Sequence, residues 1–210
     1  MKGYFPFFLA SIWLAVVSAG VSALWAYDYT PGGDAGVPSS WPSGSKIAPD
    51  AKQPTLIMFA HPKCPCTRAS LGELMVLMTH CQGRVNARVV FFQPKPGEAD
   101  WLNTDLWRSA KAIPGVSVQA DEDGAEAASF HITTSGHVVL YDVRGKLLFS
   151  GGITSSRGHA GDNAGSADLL QLLHHDLPTE TATPVFGCSL LNTKSDGKAK
   201  DTPSIHCLRI

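Results

Sequence analysis

The sequence lacks the features of several large functional classes. It has no run of Lys or Arg interleaved with aromatic residues, and its 17 basic residues are balanced by 18 acidic ones, for a net charge of −1. We therefore expect no nucleic-acid partner. Its five cysteines form no paired C-x-x-C repeats, which argues against a zinc finger. No Gly-Lys-Ser/Thr step follows its glycine-rich stretch, which argues against a phosphate loop, and we expect no cofactor.

Charge is also absent from one long stretch near the N-terminus. Residues 5–27 (FPFFLASIWLAVVSAGVSALWAY) contain no charged side chain, and a helix of this length spans a hydrocarbon core of ~30 Å. Because Lys2 precedes this stretch and acidic residues follow it, the positive-inside rule predicts a signal-anchor. Residues 1–27 would form a cytoplasmic tip and a transmembrane helix, with the rest of the chain in the periplasm or an equivalent extracytoplasmic space. A cleaved signal peptide is the alternative, since Val17-Ser18-Ala19 offers a small-residue cleavage pattern.

The chain of 210 residues is long enough for one ordinary domain with appendages. Residues 28–54 are rich in Gly, Pro and Ser and predict a flexible linker. Residues 55–177 alternate strand and helix patterns and predict the folded domain. Residues 178–210 predict a polar C-terminal extension, in which the run 192–201 is expected to be disordered.

The patterns within residues 55–177 predict an α/β fold. Strands are expected over 55–62, 85–94 and 115–121, followed by two more on either side of the Arg144-Gly145 turn. Helices are expected over 68–81, 98–113, 124–132 and 167–175. This order predicts a central mixed sheet with helices on both faces, in which the last two strands form an antiparallel hairpin.

The motif Cys64-Pro65-Cys66 lies between the first strand and the first helix of this domain. The N-terminus of a helix and the neighbouring Lys63 both favour a thiolate, the attacking species in disulfide exchange. We expect an exposed loop in which Cys64 attacks a disulfide and Cys66 resolves the mixed disulfide. The tight ring of a C-x-C disulfide predicts an oxidising or isomerising potential.

Two other kinds of chemistry are compatible with the motif. His61, Cys64 and Cys66 could bind copper or zinc, because thiolates and imidazole suit Cu(I) and Zn(II). His137 could approach the same end of the sheet, or it could be a solvated residue at a strand end. In a thiol peroxidase, Cys66, which Thr67 follows, would be the thiol oxidised by peroxide.

Several motifs together resemble the RedB-like redox proteins, which are membrane-anchored bacterial relatives of thioredoxin. They are CPCTRASLGEL (64–74), DEDGAEAASF (121–130), TSGHVVLYD (134–142), FSGGITSSRGHAGDNAG (149–165) and TPVFGC (183–188). The resemblance implies a thioredoxin-like fold over residues 55–177, and a thiol-disulfide oxidoreductase that acts on protein thiols and disulfides outside the cytoplasm. Copper-delivering Sco proteins, the alternative, share this fold and placement, with cysteines spaced more widely.

The sequence departs from thioredoxins at the position of their cis-proline. Thr134-Ser135-Gly136 stands there instead. Gly136 is expected to adopt a positive φ, and Thr134 or Ser135 could present a hydroxyl to the Cys64 sulfur.

The remaining signals leave alternatives open. Cys81 lies on the apolar stripe of the first domain helix and is expected in the core. Cys188 and Cys207 could form a disulfide with each other, or Cys188 could relay electrons to the main pair. The loop Gly151–Gly165 contains five glycines along with Arg157, and it is either a solvent-exposed connection or a loop shaped around a site.

Overall fold

The computed structural model describes residues 4–33, 35–94, 100–174 and 181–190. In chain order the elements are α1 (Phe5–Asp28), β1 (Thr55–Ala60), α2 (Cys66–His80), β2 (Asn86–Gln93), α3 (Asp105–Lys111), β3 (Val116–Glu122), α4 (Ala125–Ser129), β4 (His137–Tyr141), β5 (Leu147–Gly152) and α5 (Ala164–Leu173).

Five strands form one mixed sheet in the order β3-β2-β1-β4-β5. Strands β1, β2 and β3 are parallel, whereas β4 is antiparallel to both β1 and β5. All residues of β1 are buried, which explains its uninterrupted apolar sequence at the centre of the sheet. The predicted fold class is therefore confirmed, and the β1–α2 connection that holds the cysteine motif leaves from the central strand.

The two faces of the sheet are covered differently. Alternate residues of β1 point to opposite faces, so that Leu56 and Met58 join one apolar cluster and Ile57 and Phe59 join the other. Residues of α2, α3 and α5 complete the first cluster. The second cluster takes only Ala127 from a helix, the short α4, and is completed by irregular segments that include Ile47 and Leu190.

The predicted flexible linker, residues 28–54, contacts the domain at several points. The Trp41 ring packs edge-on against Phe130 and Tyr141, and Ile47 is only 3% exposed. The Trp41 amide also donates to the carbonyl of Gly145 at 2.7 Å. The structure thus differs from the expectation of a free spacer, because a few apolar side chains among the Gly, Pro and Ser residues dock on the face that α4 leaves open.

Two helices begin three or more residues away from their predicted starts. Helix α3 begins only at Asp105, because the Thr104 hydroxyl accepts a hydrogen bond from the Trp107 amide and caps the helix there. Helix α5 begins earlier than expected, at Ala164, where the Asn163 side chain accepts from the Ser166 amide. The start of the predicted helix 98–113 partly falls on residues 95–99, outside the described residues.

Helix α1 has 24 residues, none of them buried. At 1.5 Å per residue it is about 36 Å long, which exceeds a hydrocarbon core of ~30 Å. Within the described residues it is the one helix that is long and apolar enough to cross a membrane.

Candidate functional site: three cysteine sulfurs

The turn between β1 and α2 positions Cys64 and Cys66. The Cys64 amide donates to the carbonyl of His61 at 3.1 Å, and the Thr67 amide donates to the Cys64 carbonyl at 3.1 Å. Pro65 is the N-cap residue of α2, so that Cys66 is the first helical residue. A proline fits this position because the first amides of a helix have no partner within the helix.

A third cysteine lies beside this pair. The Cys64 and Cys188 sulfurs are 2.9 Å apart, although 124 positions separate the two residues in the sequence. The sulfurs of Cys64, Cys66 and Cys188 all lie within 4.8 Å of one another. All three cysteines are free thiols in the structure.

Residues 183–190, which we name the Cys188 segment, carry this third sulfur to the site. The Ser135 amide donates to the Cys188 carbonyl at 2.8 Å, and the Leu190 amide donates to the Thr133 carbonyl at 2.8 Å. Thr134 and Ser189 form an antiparallel bridge between these two bonds. The segment therefore pairs as a short strand with the residues that precede β4.

Thr134-Ser135-Gly136, which precede β4, are the residues that this sequence has at the position of the thioredoxin cis-proline. Gly136 has φ of +87°, as predicted. The Ser135 hydroxyl accepts from the His61 amide at 2.8 Å and bonds the Thr67 hydroxyl at 2.9 Å, while the Thr134 hydroxyl donates to the Gly33 carbonyl. The expectation that one of these hydroxyls faces the Cys64 sulfur is not met, because both hydroxyls hold backbone around the site instead.

The surroundings of the three sulfurs separate their pKa values. Hydrogen bonds from the Cys188 and Cys66 thiols, and from the backbone amides of Cys188 and Thr67, hold the pKa of Cys64 far below its ordinary value despite burial. The bond to Cys64 raises the pKa of Cys188. For Cys66, the bond with Cys188 lowers the pKa, but the bond with Cys64 and burial outweigh it, and the net shift is upward. Cys64 is thus the thiolate of the group.

Burial of the site differs from the prediction of an exposed loop. Cys64 is only 1% exposed, whereas Cys66 and Cys188 are half-buried. The expectation that the attacking thiolate is the exposed sulfur is wrong for Cys64. It failed because the segment that covers Cys64 comes from a distant part of the sequence.

His61 takes part in a different set of contacts. Its Nδ1 accepts from the Lys63 amide at 3.2 Å, and its ring packs against Phe92 and Trp101. Burial is the largest cause that lowers the pKa of His61. Among the described residues, Cys188 is the third possible metal ligand beside Cys64 and Cys66. His61 does not belong to this group. The Lys63 ammonium lies over the Trp101 ring, 3.7 Å from its centroid.

The other predicted residues lie away from the sulfurs or outside the described residues. His137 is buried, 3% exposed, and its Nε2 bonds the Ser150 hydroxyl at 2.8 Å, so it is not a solvated residue at a strand end. Cys81 is fully buried in the core beneath α2, as expected. Cys207 lies outside the described residues.

The loop Gly151–Gly165 contacts both the site and α1. The Arg157 guanidinium donates to the Gly187 carbonyl at 2.5 Å, and to the carbonyls of Tyr27 and Thr30 at 3.1 Å each. The Arg157 charge also lowers the pKa of Cys66 in part. On the other side of the loop, the buried Glu73 carboxylate accepts from the Gly161 amide at 2.6 Å. The loop is therefore fixed to the domain and is not a bare connection.

Comparison with known proteins finds solved structures that share the fold of the chain. No protein-family model and no curated protein matches it. An uncharacterized conserved protein from Geobacillus kaustophilus superposes with a TM-score of 0.57 and 18% identity, over 80% of this chain and 95% of that one. A hypothetical protein from Sinorhizobium meliloti 1021 gives a TM-score of 0.58 and 18% identity, over 77% and 98%. An exposed lipoprotein thioredoxin from Streptococcus pneumoniae gives 0.43 and 19%, over 59% and 84%.

The fold is thioredoxin-like. Its strand-helix-strand half, antiparallel hairpin and final helix put the Cys64-Pro65-Cys66 turn where the central strand meets the first domain helix.

Two features of the site were not predicted from the sequence. The sequence leaves the role of Cys188 open, although TPVFGC is one of the motifs that carry the resemblance. It shows Arg157 only as a polar residue in a glycine-rich loop. In both residues the signal was a short motif of unusual composition far from the cysteine pair.

Proposed function

We propose that this chain is a thiol-disulfide oxidoreductase, similar to the RedB-like redox proteins, that α1 tethers to a membrane with the domain on the extracytoplasmic side. The observation that carries the proposal is the group of three sulfurs within 4.8 Å of one another at the start of α2. The thioredoxin-like fold supports it. In this proposal residues 1–27 are the anchor, 28–54 the connection, 55–177 the redox domain and 178–210 a C-terminal extension.

The proposed reaction is exchange with protein thiols and disulfides. The Cys64 thiolate attacks one sulfur of a partner disulfide, and the other partner sulfur leaves as a thiolate that takes up a proton. Cys66, after losing its proton, attacks the Cys64 sulfur of the mixed disulfide. The partner then leaves fully reduced, and Cys64 and Cys66 are joined in a disulfide. Run in reverse, the same steps oxidise a partner dithiol.

An exchange assay tests this function. Reduced full-length protein in detergent is mixed with a self-quenched fluorescent glutathione disulfide, and the rise in fluorescence is followed. We expect Cys64→Ser to lose the exchange activity, because the thiolate is gone. Cys81→Ala, whose sulfur lies in the core outside the three-sulfur group, is the control and should keep it. Exchange at the wild-type rate in Cys64→Ser would contradict the proposal.

Metal binding is the second candidate, because three sulfurs so close together also suit Cu(I) or Zn(II). The 2.9 Å separation of the Cys64 and Cys188 sulfurs argues against it. Two sulfurs on one tetrahedral zinc, each at about 2.3 Å from it, would lie roughly 3.8 Å apart.

Metal analysis of anaerobically purified protein should give substoichiometric metal. Stoichiometric copper that is lost in Cys188→Ser and retained in His61→Ala would favour the metal function instead.

A further inference from the structure

The Cys188 segment pairs with the domain as a short extended strand. The backbone of residues 133–135 bonds the segment on both sides of the Thr134–Ser189 bridge, in the antiparallel manner by which an extended peptide adds to a strand. Side chains fix the segment further, since Leu190 is buried in the second apolar cluster. A peptide from another protein that used the same backbone groups would first have to displace this segment.

The segment also fits the site closely at Gly187. A Cβ atom built there would overlap the carbonyl oxygen of Ser135, so only glycine allows this approach of the two backbones. On the other side of the segment, the Arg157 guanidinium donates to the Gly187 carbonyl. The residue directly before Cys188 is thus held from two directions, which sets the position of the Cys188 sulfur.

We propose that Cys188 is a third redox-active cysteine, which forms a disulfide with Cys64 and is carried by a segment that pairs with residues 133–135 in the place of a partner peptide. This inference rests on the proposed function. The Cys64 and Cys188 sulfurs are in direct contact, and the Cys66 sulfur lies near enough to exchange with them.

The exchange among the three sulfurs is balanced without an added oxidant. Starting from a Cys64–Cys188 disulfide, the Cys66 thiolate attacks the Cys64 sulfur. The Cys64–Cys66 bond forms as the Cys64–Cys188 bond breaks, and the departing Cys188 thiolate takes up the proton that Cys66 gave up. Cys66 is oxidised and Cys188 is reduced. The disulfide itself comes from a partner protein disulfide, as in the proposed function.

The exchange links the redox state to access. While Cys188 is bonded to Cys64, the disulfide holds the segment against residues 133–135, and the segment covers Cys64. When the disulfide moves to Cys64 and Cys66, only hydrogen bonds and packing hold the segment. A partner peptide then competes with the segment for residues 133–135. The segment therefore selects partners that pair as an extended strand.

Disulfide mapping tests the pairing. Full-length protein in detergent is equilibrated with oxidised glutathione, its free thiols are blocked, and the linked peptides are identified by mass spectrometry. We expect a Cys64–Cys188 linkage in the wild type, the same linkage alone in Cys66→Ser, and only Cys64–Cys66 in Cys188→Ser. Cys188 that stays free in both the wild type and Cys66→Ser, or that pairs with Cys207 instead, would overturn the inference.

A second variant tests the covering role and leaves every thiol in place. Gly187→Ala should unseat the segment and speed the alkylation of Cys64 in the reduced protein several-fold. Gly44→Ala is the matched control, because a Cβ there meets only an ordinary contact with the Ser129 hydroxyl oxygen at 3.8 Å. Equal alkylation rates in Gly187→Ala and the wild type would overturn the covering role.

The inference and the proposed function fail in different ways. If Cys64→Ser abolishes exchange but Cys188 stays unpaired, the oxidoreductase stands and the third cysteine is refuted. If Cys64→Ser keeps the wild-type exchange rate, the oxidoreductase itself fails, and with it the redox role of Cys188.

Discussion

At the scale of single residues, three chemically identical thiols take different roles: Cys64 is the thiolate, and Cys66 and Cys188 are hydrogen-bond donors to it. Cys64 accepts hydrogen bonds from the thiols of Cys188 and Cys66 and from two backbone amides, so its charge is stabilised despite burial. The sequence offers Lys63 and the end of α2 as causes of a depressed pKa of Cys64. In the structure the largest causes are the neighbouring thiols of Cys188 and Cys66, and Lys63 is not among the main causes.

This arrangement predicts the pH dependence of the thiolate. Because the hydrogen bonds from Cys188 and Cys66 hold the folded pKa of Cys64 far below the value of about 8.5 of a free thiol, we expect Cys64 to stay charged as the pH falls through neutrality. Thiolate absorbance in the ultraviolet, titrated in the reduced protein, should therefore persist at neutral pH in Cys66→Ser and vanish in Cys64→Ser. In Cys188→Ala the titration should move to higher pH, since alanine has no side-chain donor and the strongest hydrogen bond to Cys64 is lost. An unchanged midpoint in Cys188→Ala would contradict this assignment.

The sequence predicted part of this site and missed part of it for a physical reason. A cysteine pair between an apolar strand and an amphipathic helix must lie at the strand-to-helix turn, and Cys64 and Cys66 do. A separation of 124 positions along the chain, however, does not tell how far apart Cys64 and Cys188 lie in space. The sequence therefore could not place Cys188 beside the pair or reveal that Cys64 is covered.

At the scale of elements, the strands were the best predicted feature. Apolar β-branched and aromatic residues specify β1 and β2 directly, because both are interior strands, of which β1 is fully and β2 partly buried. Prediction was weaker where tertiary contact decides the structure. The sequence predicts a flexible linker around Trp41 and a polar extension around Leu190. In the structure both segments complete the apolar core on the face that is otherwise covered by the short α4.

The loop that contains Arg157 joins the end of α1 to the Cys188 segment. Its guanidinium bonds the Tyr27 and Thr30 carbonyls at the end of α1 and the Gly187 carbonyl of the Cys188 segment. Charged hydrogen bonds of this kind contribute about 1.5–3 kcal/mol each. The end of α1 is thus coupled to the position of the Cys188 sulfur.

Removing this side chain should loosen the Cys188 segment. We expect Arg157→Ala to destabilise the closed segment by about 1–3 kcal/mol and so to speed the alkylation of Cys188 in the reduced protein. Mass spectrometry of timed alkylation reactions measures this rate. Arg144→Ala, at the exposed hairpin turn, is the control and should leave the rate unchanged. An equal rate in Arg157→Ala and the wild type would show that the segment does not depend on this contact.

At the scale of the whole molecule, an exposed apolar helix precedes a domain whose site is tied to the end of that helix. Helix α1 has no buried residue, and large apolar side chains such as Trp13 and Leu14 are exposed along it. Such a surface is unfavourable in water and suits a bilayer. The contacts of Arg157 with the end of α1 hold the domain near the point where this helix ends.

The proposed membrane anchor predicts the behaviour of the full chain. Because residues 5–27 carry no charge and Lys2 precedes them, the protein should remain with membranes after a carbonate wash. A reporter enzyme that works only outside the cytoplasm should be active when fused after Ile210. A shortened chain in the soluble fraction would instead indicate a cleaved signal peptide.

The most direct measurement of the central claim is the trapping of partners in cells. Because Cys188 lies beside Cys64, it can resolve a mixed disulfide in place of Cys66, so both must be removed to trap one. The double variant Cys66→Ser/Cys188→Ser should accumulate mixed disulfides with partner proteins through Cys64, seen as reducible bands on non-reducing gels. Adding Cys64→Ser should abolish them. Reducible bands of equal amount in the triple variant, or none in the double variant, would contradict thiol-disulfide exchange at Cys64.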